Sequence, residues 1–85
     1  MTKVTLRYWA AAKEAAGVAE QIVAADTLAE ALAQAGDEAV RDRLVPVLHR
    51  SSFLIDGDPV GHRPWPAVRL TDGAVVEVLP PFSGG

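Results

Sequence analysis

The two most apolar strand-like segments of this chain lie at its opposite ends, and that placement restricts its topology more than any other feature. Residues 3–9 (KVTLRYW) alternate, with Val4, Leu6 and Tyr8 on one face and Lys3, Thr5 and Arg7 on the other, the period of a half-buried strand. Residues 74–79 (AVVEVL) are the most β-prone run in the chain. Two such segments are expected side by side in the centre of one sheet, so the chain between them must leave that sheet, cover one face and return.

What lies between is punctuated by caps and turns. AAAKEAAG after the first strand reads as one or two helical turns closed by Gly17, and residues 20–25 (EQIVAA) as a second strand. Thr27 and Glu30 form a capping box at the start of the main helix, with Leu28, Leu32 and Ala35 on one face and Gly36 as a left-handed stop. Residues 37–45 (DEAVRDRLV) continue as a helical segment that Pro46 is expected to end, because an interior proline costs about 3 kcal/mol. SSFLIDGDPV predicts a strand entering a hairpin at Asp56-Gly57, and Thr71-Asp72-Gly73 predicts another turn. Pro64 and Pro66 confine residues 61–69 to a loop with at most an edge strand. The order implies an α+β domain over residues 1–79: a mixed sheet of four to five strands covered on one face by the main helix. Val4, Leu6, Tyr8, Val76 and Val78 should meet Leu28, Leu32 and Leu44 in its core.

Eighty-five residues, about half of them apolar, suit a single core. There is no cysteine, which excludes disulfides, thiolate metal sites and thiol nucleophiles, so any sulfur this chain handles must come from elsewhere. Lys3 and Arg7 interrupt the N-terminal apolar run and no apolar stretch is long enough to span a bilayer, so neither a signal peptide nor a membrane partner is expected and the location should be cytoplasmic. The net charge of -3 and the scattered Lys and Arg residues argue against nucleic acid as a partner.

The chain then leaves its last strand and ends Pro80-Pro81-Phe82-Ser83-Gly84-Gly85. Two prolines cannot extend a strand ladder and favour an extended path, so residues 80–85 are expected to form an arm reaching roughly 20 Å from the body. A glycine pair lacks Cβ atoms and can pass a slot too narrow for other residues. The terminal carboxylate of Gly85 is an anion at neutral pH and a poor electrophile, so chemistry at that atom needs activation. Proline- and glycine-rich ends are also common as plain frayed termini, which is the alternative reading.

RYWAAAKEAAG, the capped central helix, FLIDG, LTDGAVVEVLPP and the final PPFSGG together resemble the MoaD/ThiS family of sulfur carriers, and most of all the small subunit of molybdopterin synthase. The likeness spans nearly the whole chain, with the tail as its specific element. It implies a ubiquitin-like β-grasp fold and a protein that is not catalytic alone. An adenylating enzyme related to ubiquitin-activating enzymes would use ATP and Mg²⁺ to activate Gly85, and a persulfide donor would convert it to a thiocarboxylate. The large synthase subunit would then take that sulfur for the molybdenum cofactor. Carry-over falls on Gly85 as the reacting residue, with Pro80, Pro81, Phe82, Ser83 and Gly84 as the arm gripped by a partner. No cofactor is expected on the chain itself.

Other readings remain beside this one. The same tail suits a carrier for thiamine, cysteine or thiolated RNA bases, a protein modifier joined through Gly85, or a β-grasp interaction domain with no chemistry. Phe82 is either an interface anchor or a ring folded back on the body. Trp9 and Trp65 suit core or rim packing, and Trp9 with Val75 and Leu79 would form an apolar interaction patch if it faces away from the helices. His49 and His62 lack acidic or thiol neighbours at ligand spacing, so no metal site is expected. Ser51, Ser52 and Ser83 lack a base, and Asp56-Gly57-Asp58 reads as turn chemistry rather than a calcium loop.

Overall fold

The computed structural model describes residues 2–81. Along the chain run β1 (Lys3–Tyr8), α1 (Ala10–Ala16), β2 (Glu20–Ala24), α2 (Leu28–Ala33), α3 (Arg41–Arg50), β3 (Ser52–Ile55), β4 (Asp58–Pro59), a 3-10 turn (Trp65–Ala67) and β5 (Val75–Leu79). The strands form one sheet in the order β2-β1-β5-β3-β4. The first and last strands do lie together, as the only parallel pair among the described residues, with Leu6 opposite Val76 and Tyr8 opposite Val78. This is the mixed α+β architecture expected of a ubiquitin-like β-grasp domain.

Alternation decides which face is buried. Val4, Leu6, Tyr8, Val76 and Val78 are at most 1% exposed and meet Leu28, Leu32 and Leu44 from the helical layer. Burial of each such side chain contributes about 1.5–3 kcal/mol, and this set is the main source of the fold's stability. The polar end of Tyr8 is satisfied inside: its hydroxyl donates to Gln21 Oε1 at 2.7 Å, and the same oxygen accepts from the Gly36 N–H at 2.8 Å. Gln21 Nε2 then donates to the Gln34 carbonyl. A strand residue thus ties β1 and β2 to the loop after α2.

Two of the three predicted caps form, and the third is displaced: Gly36 is left-handed (φ 72°), but α2 ends earlier, at Ala33, with Gln34 as its C-cap. Thr27 Oγ1 accepts from the Glu30 N–H at 3.2 Å, while the Glu30 carboxylate reaches back one residue further than Thr27, to the Asp26 N–H at 2.7 Å. Gly17 closes α1 in the left-handed conformation. In the hairpin, Asp56 and Gly57 both have positive φ (49° and 88°), the requirement of a type I′ turn.

Two helical expectations need correction. The capped helix α2 has only six residues, and the longest helix is α3, so the two share the cover of the sheet. Pro46 does not end a helix: it lies inside α3. Pro46 is on the exposed side, and the carbonyl deprived of a donor is that of exposed Asp42, within reach of water. Leu44, Val47 and Leu48 on the other side are buried. Their combined burial, several kcal/mol, outweighs the roughly 3 kcal/mol cost of the proline.

Candidate functional site: the end of the central strand and the open sheet face

β5 is the middle strand of the sheet, hydrogen-bonded to β1 on one side and β3 on the other. Its last turns of ladder are held by Trp9 N–H donating to the Val78 carbonyl at 3.2 Å and by the pairing of Leu79 with Ser52. Pro80 continues as a buried residue and Pro81 is exposed. The chain therefore emerges from the best-anchored strand, between the start of α1 and the start of β3. Phe82, Ser83, Gly84 and Gly85 lie outside the described residues, so of the predicted arm only Pro80 and Pro81 are placed, and Pro80 belongs to the packed body.

Residues that alternate with the buried set share the face opposite the helices. Thr5 pairs with Val75, Arg7 with Glu77, Leu54 with Glu77 and Ser52 with Leu79, which puts Val75, Glu77, Leu79 and Leu54 on that face. Trp9 joins them, 44% exposed, its indole N–H donating to Glu77 Oε1 at 3.1 Å. Arg7 stands across from Glu77 and bridges to the Glu20 carboxylate at 2.9 Å. The surface around the tail root is thus apolar at Trp9, Leu79, Val75 and Leu54, with a charged line of Glu20, Arg7 and Glu77 crossing it. The grouping of Trp9, Val75 and Leu79 on one open face agrees with the sequence reading. Arg7 was already on that open face by the alternation of β1, whereas Glu77, which interrupts the buried alternation of β5 and so must point away from the core, has no counterpart in the sequence reading.

The remaining candidates have structural roles. Trp65 is half-buried, stacked on His49 at 5.1 Å and edge-on to Phe53 at 5.5 Å. The Ser51 hydroxyl donates to the Val47 carbonyl at the end of α3. Asp56 Oδ1 accepts from the Val75 N–H, which locks the hairpin turn against the central strand. Among the described residues no group of three or more His, Cys, Asp or Glu could hold a metal ion, and no helix is long and apolar enough to cross a membrane.

A chain with a body of this topology, whose sequence ends Pro-Pro-Phe-Ser-Gly-Gly, matches a known family over nearly its full length: the ThiS family model covers residues 6–85. The chain belongs to the ThiS family. The match includes the residues beyond Pro81 and agrees with the MoaD/ThiS sulfur-carrier resemblance carried by PPFSGG. Solved structures share the fold. Small archaeal modifier protein 1 from Methanosarcina acetivorans superposes with a TM-score of 0.73 at 22% identity, over 100% of this chain and 98% of that one. The Haloferax volcanii HVO 2177 protein does so with 0.71 at 26%, over 99% and 87%. A chain in the complex of subunits 1 and 2 of molybdopterin-converting factor from Helicobacter pylori gives 0.69 at 21%, over 99% and 100%. No curated protein matches the chain at a significant level.

Proposed function

We propose that this ThiS-family protein carries sulfur as a thiocarboxylate on Gly85 and delivers it for molybdenum cofactor synthesis. The observation that supports the reading is that the family match runs unbroken from the β-grasp body through the Gly-Gly end, as one continuous unit. The chain has no thiol of its own, so the sulfur must be loaded onto oxygen chemistry already present.

Loading follows from the chemistry of a carboxylate. Gly85 attacks the α-phosphorus of ATP in an adenylating partner and pyrophosphate leaves, with Mg²⁺ in that partner offsetting the phosphate charge. The resulting acyl-adenylate is electrophilic. A persulfide sulfur on a donor protein adds to its carbonyl carbon and AMP departs. A thiol then attacks the other sulfur of the acyl disulfide, and the thiocarboxylate leaves as the donor becomes a disulfide. The large subunit of a molybdopterin synthase would receive the loaded end. Five residues from Pro81 onward reach at most roughly 17 Å, so an acceptor pocket must open within that distance of the tail root. The face carrying Trp9, Val75 and Leu79 is then the surface a partner must rest on while it holds the arm.

Intact-mass measurement of the native protein, co-expressed with its activating enzyme and sulfur donor, tests the reading. The expected result is a fraction heavier by the exchange of one oxygen for one sulfur, absent when Gly85 is deleted. Covalent adducts to other proteins through Gly85, with no sulfur-bearing species, would instead identify a protein modifier. A sulfur-loaded protein that fails to convert the pterin precursor but supports thiamine, cysteine or RNA thiolation would reassign the pathway.

A further inference from the structure

The two edges of the sheet are treated differently, and the difference points to a contact between copies of the chain. At the β4 edge, the register turns the backbone groups of Pro59 outward, because Ile55 with Asp58 and Phe53 with Val60 are the hydrogen-bonded pairs. Pro59 has no N–H, and its carbonyl accepts from Arg63 Nη2 at 3.3 Å, so among the described residues of β4 the outward backbone offers no N–H to a further strand.

At the β2 edge the opposite holds. Tyr8 N–H donates to Ala19 and Ala25 N–H donates to Thr2, which makes Ala19, Gln21, Val23 and Ala25 the residues bonded to β1. The backbone groups of Glu20, Ile22 and Ala24 therefore point outward. Among the described residues only the Ala24 carbonyl has a partner there, Gln34 Nε2 at 2.6 Å. Ile22, at the midpoint, is 71% exposed, the most exposed large apolar side chain described. No proline, lysine or bulge blunts the strand.

We propose that β2 pairs antiparallel with β2 of a second copy about a two-fold axis at Ile22, joining the two sheets edge to edge. The strand is self-complementary in that register. Ile22 N–H and carbonyl exchange two bonds with Ile22 of the second copy, and Ala24 N–H meets the Glu20 carbonyl of the other strand in both directions. Glu20 stands across from Ala24 and not from another carboxylate, with its charge already met by Arg7 at 2.9 Å. The two exposed isoleucines come together on the open face. A five-residue edge contact is much smaller than a standard interface of about 1,600 Å², so the association is weak, with a dissociation constant on the order of 0.1–1 mM.

The test is an NMR dilution series on the full chain, reading translational diffusion and the amide shifts of each residue. Slower diffusion at high concentration, with shifts concentrated at Glu20, Ile22 and Ala24, is the expected result. Ile22→Lys should weaken the association at least about 10-fold with an unchanged melting temperature, since this side chain is outside the core. Diffusion independent of concentration into the millimolar range overturns the proposal. So do concentration-dependent shifts centred on Trp9 and Leu79, or an Ile22→Lys chain that is folded and associates as the wild type does.

Discussion

Gly36 lies in the turn between α2, which ends at Ala33, and α3, with φ of 72°. A Cβ placed there would lie 2.8 Å from Leu44 Cδ2 and 2.8 Å from Val40 Cγ2. Gly36→Ala therefore adds two penalties. The left-handed conformation costs a residue with a Cβ about 1–2 kcal/mol. The contact adds about 1–3 kcal/mol, because Leu44 is fully buried and Val40 is stiff at χ1, so neither end moves away freely. Gly17 supplies an internal reference: its φ is 77°, but a Cβ there would touch nothing within 4 Å. Gly17→Ala should thus lose only the backbone share, about 1–2 kcal/mol, and Gly36→Ala about 2–5 kcal/mol. Urea unfolding followed by circular dichroism measures both, provided the slope m is shared by the variants. If Gly36→Ala proves no more destabilising than Gly17→Ala, the tight packing between the α2–α3 turn and the core is not what holds that joint.

Burial raises the pKa of the Tyr8 hydroxyl above its usual value, the dominant cause, against smaller opposing contributions from the Gly36 backbone and Arg41. The unfolded tyrosine ionises first as pH rises through about 10, so the stability that Tyr8 supplies is fully present below that pH and is lost above it. The urea midpoint should fall between pH 9.5 and pH 11.5 (about the range of tyrosine ionisation) more steeply in the wild type than in Tyr8→Phe. As Tyr8 is the sole tyrosine, its absorbance reports the ionisation directly. Pro46→Ala should stabilise the protein by about 1–3 kcal/mol, since it restores a donor for the Asp42 carbonyl at an exposed helical position; a loss of stability would mean the ring packs in a way its exposure does not reveal. If the proposed function is right, Trp9→Ala should weaken binding of the proposed adenylating partner by about 2 kcal/mol, roughly 30-fold, with little change in melting temperature, as titration calorimetry would read.

The central strands, the caps and the hairpin were legible because each is encoded locally. Val4, Leu6 and Tyr8 alternate, Thr27 and Glu30 stand at capping distance, and Asp56-Gly57 tolerates positive φ. Pro46 was misread because its cost is local while the compensating burial of Leu44, Val47 and Leu48 depends on where the sheet lies. The same holds for Gln21, a strand residue whose partners, Tyr8, Gln34 and Gly36, come from three separate segments. For the candidate site, the tail was visible as composition and the patch of Trp9, Val75 and Leu79 as alternation. The line of Glu20, Arg7 and Glu77 across that patch depends on strand order and register, which no single segment carries.

Where the body ends and the arm begins has a direct test in the two adjacent prolines. Pro80 is buried and Pro81 exposed, although the two are chemically identical and both follow β5. Replacing Pro80 with alanine removes two buried ring carbons, worth about 1.6 kcal/mol at 0.8 kcal/mol per methylene, and also frees the unfolded chain, worth about 0.4–1 kcal/mol. Pro81→Ala incurs only the second of these. Urea midpoints should therefore separate the variants by about 1.5 kcal/mol, with Pro80→Ala the weaker. Under the proposed function, sulfur loading read on the same proteins should fall in both variants by similar amounts, because an arm offered to a partner would depend on the stiffness of Pro81 as much as on the anchor at Pro80. Equal stabilities would place the boundary before Pro80, and the packed body would then end with β5 itself.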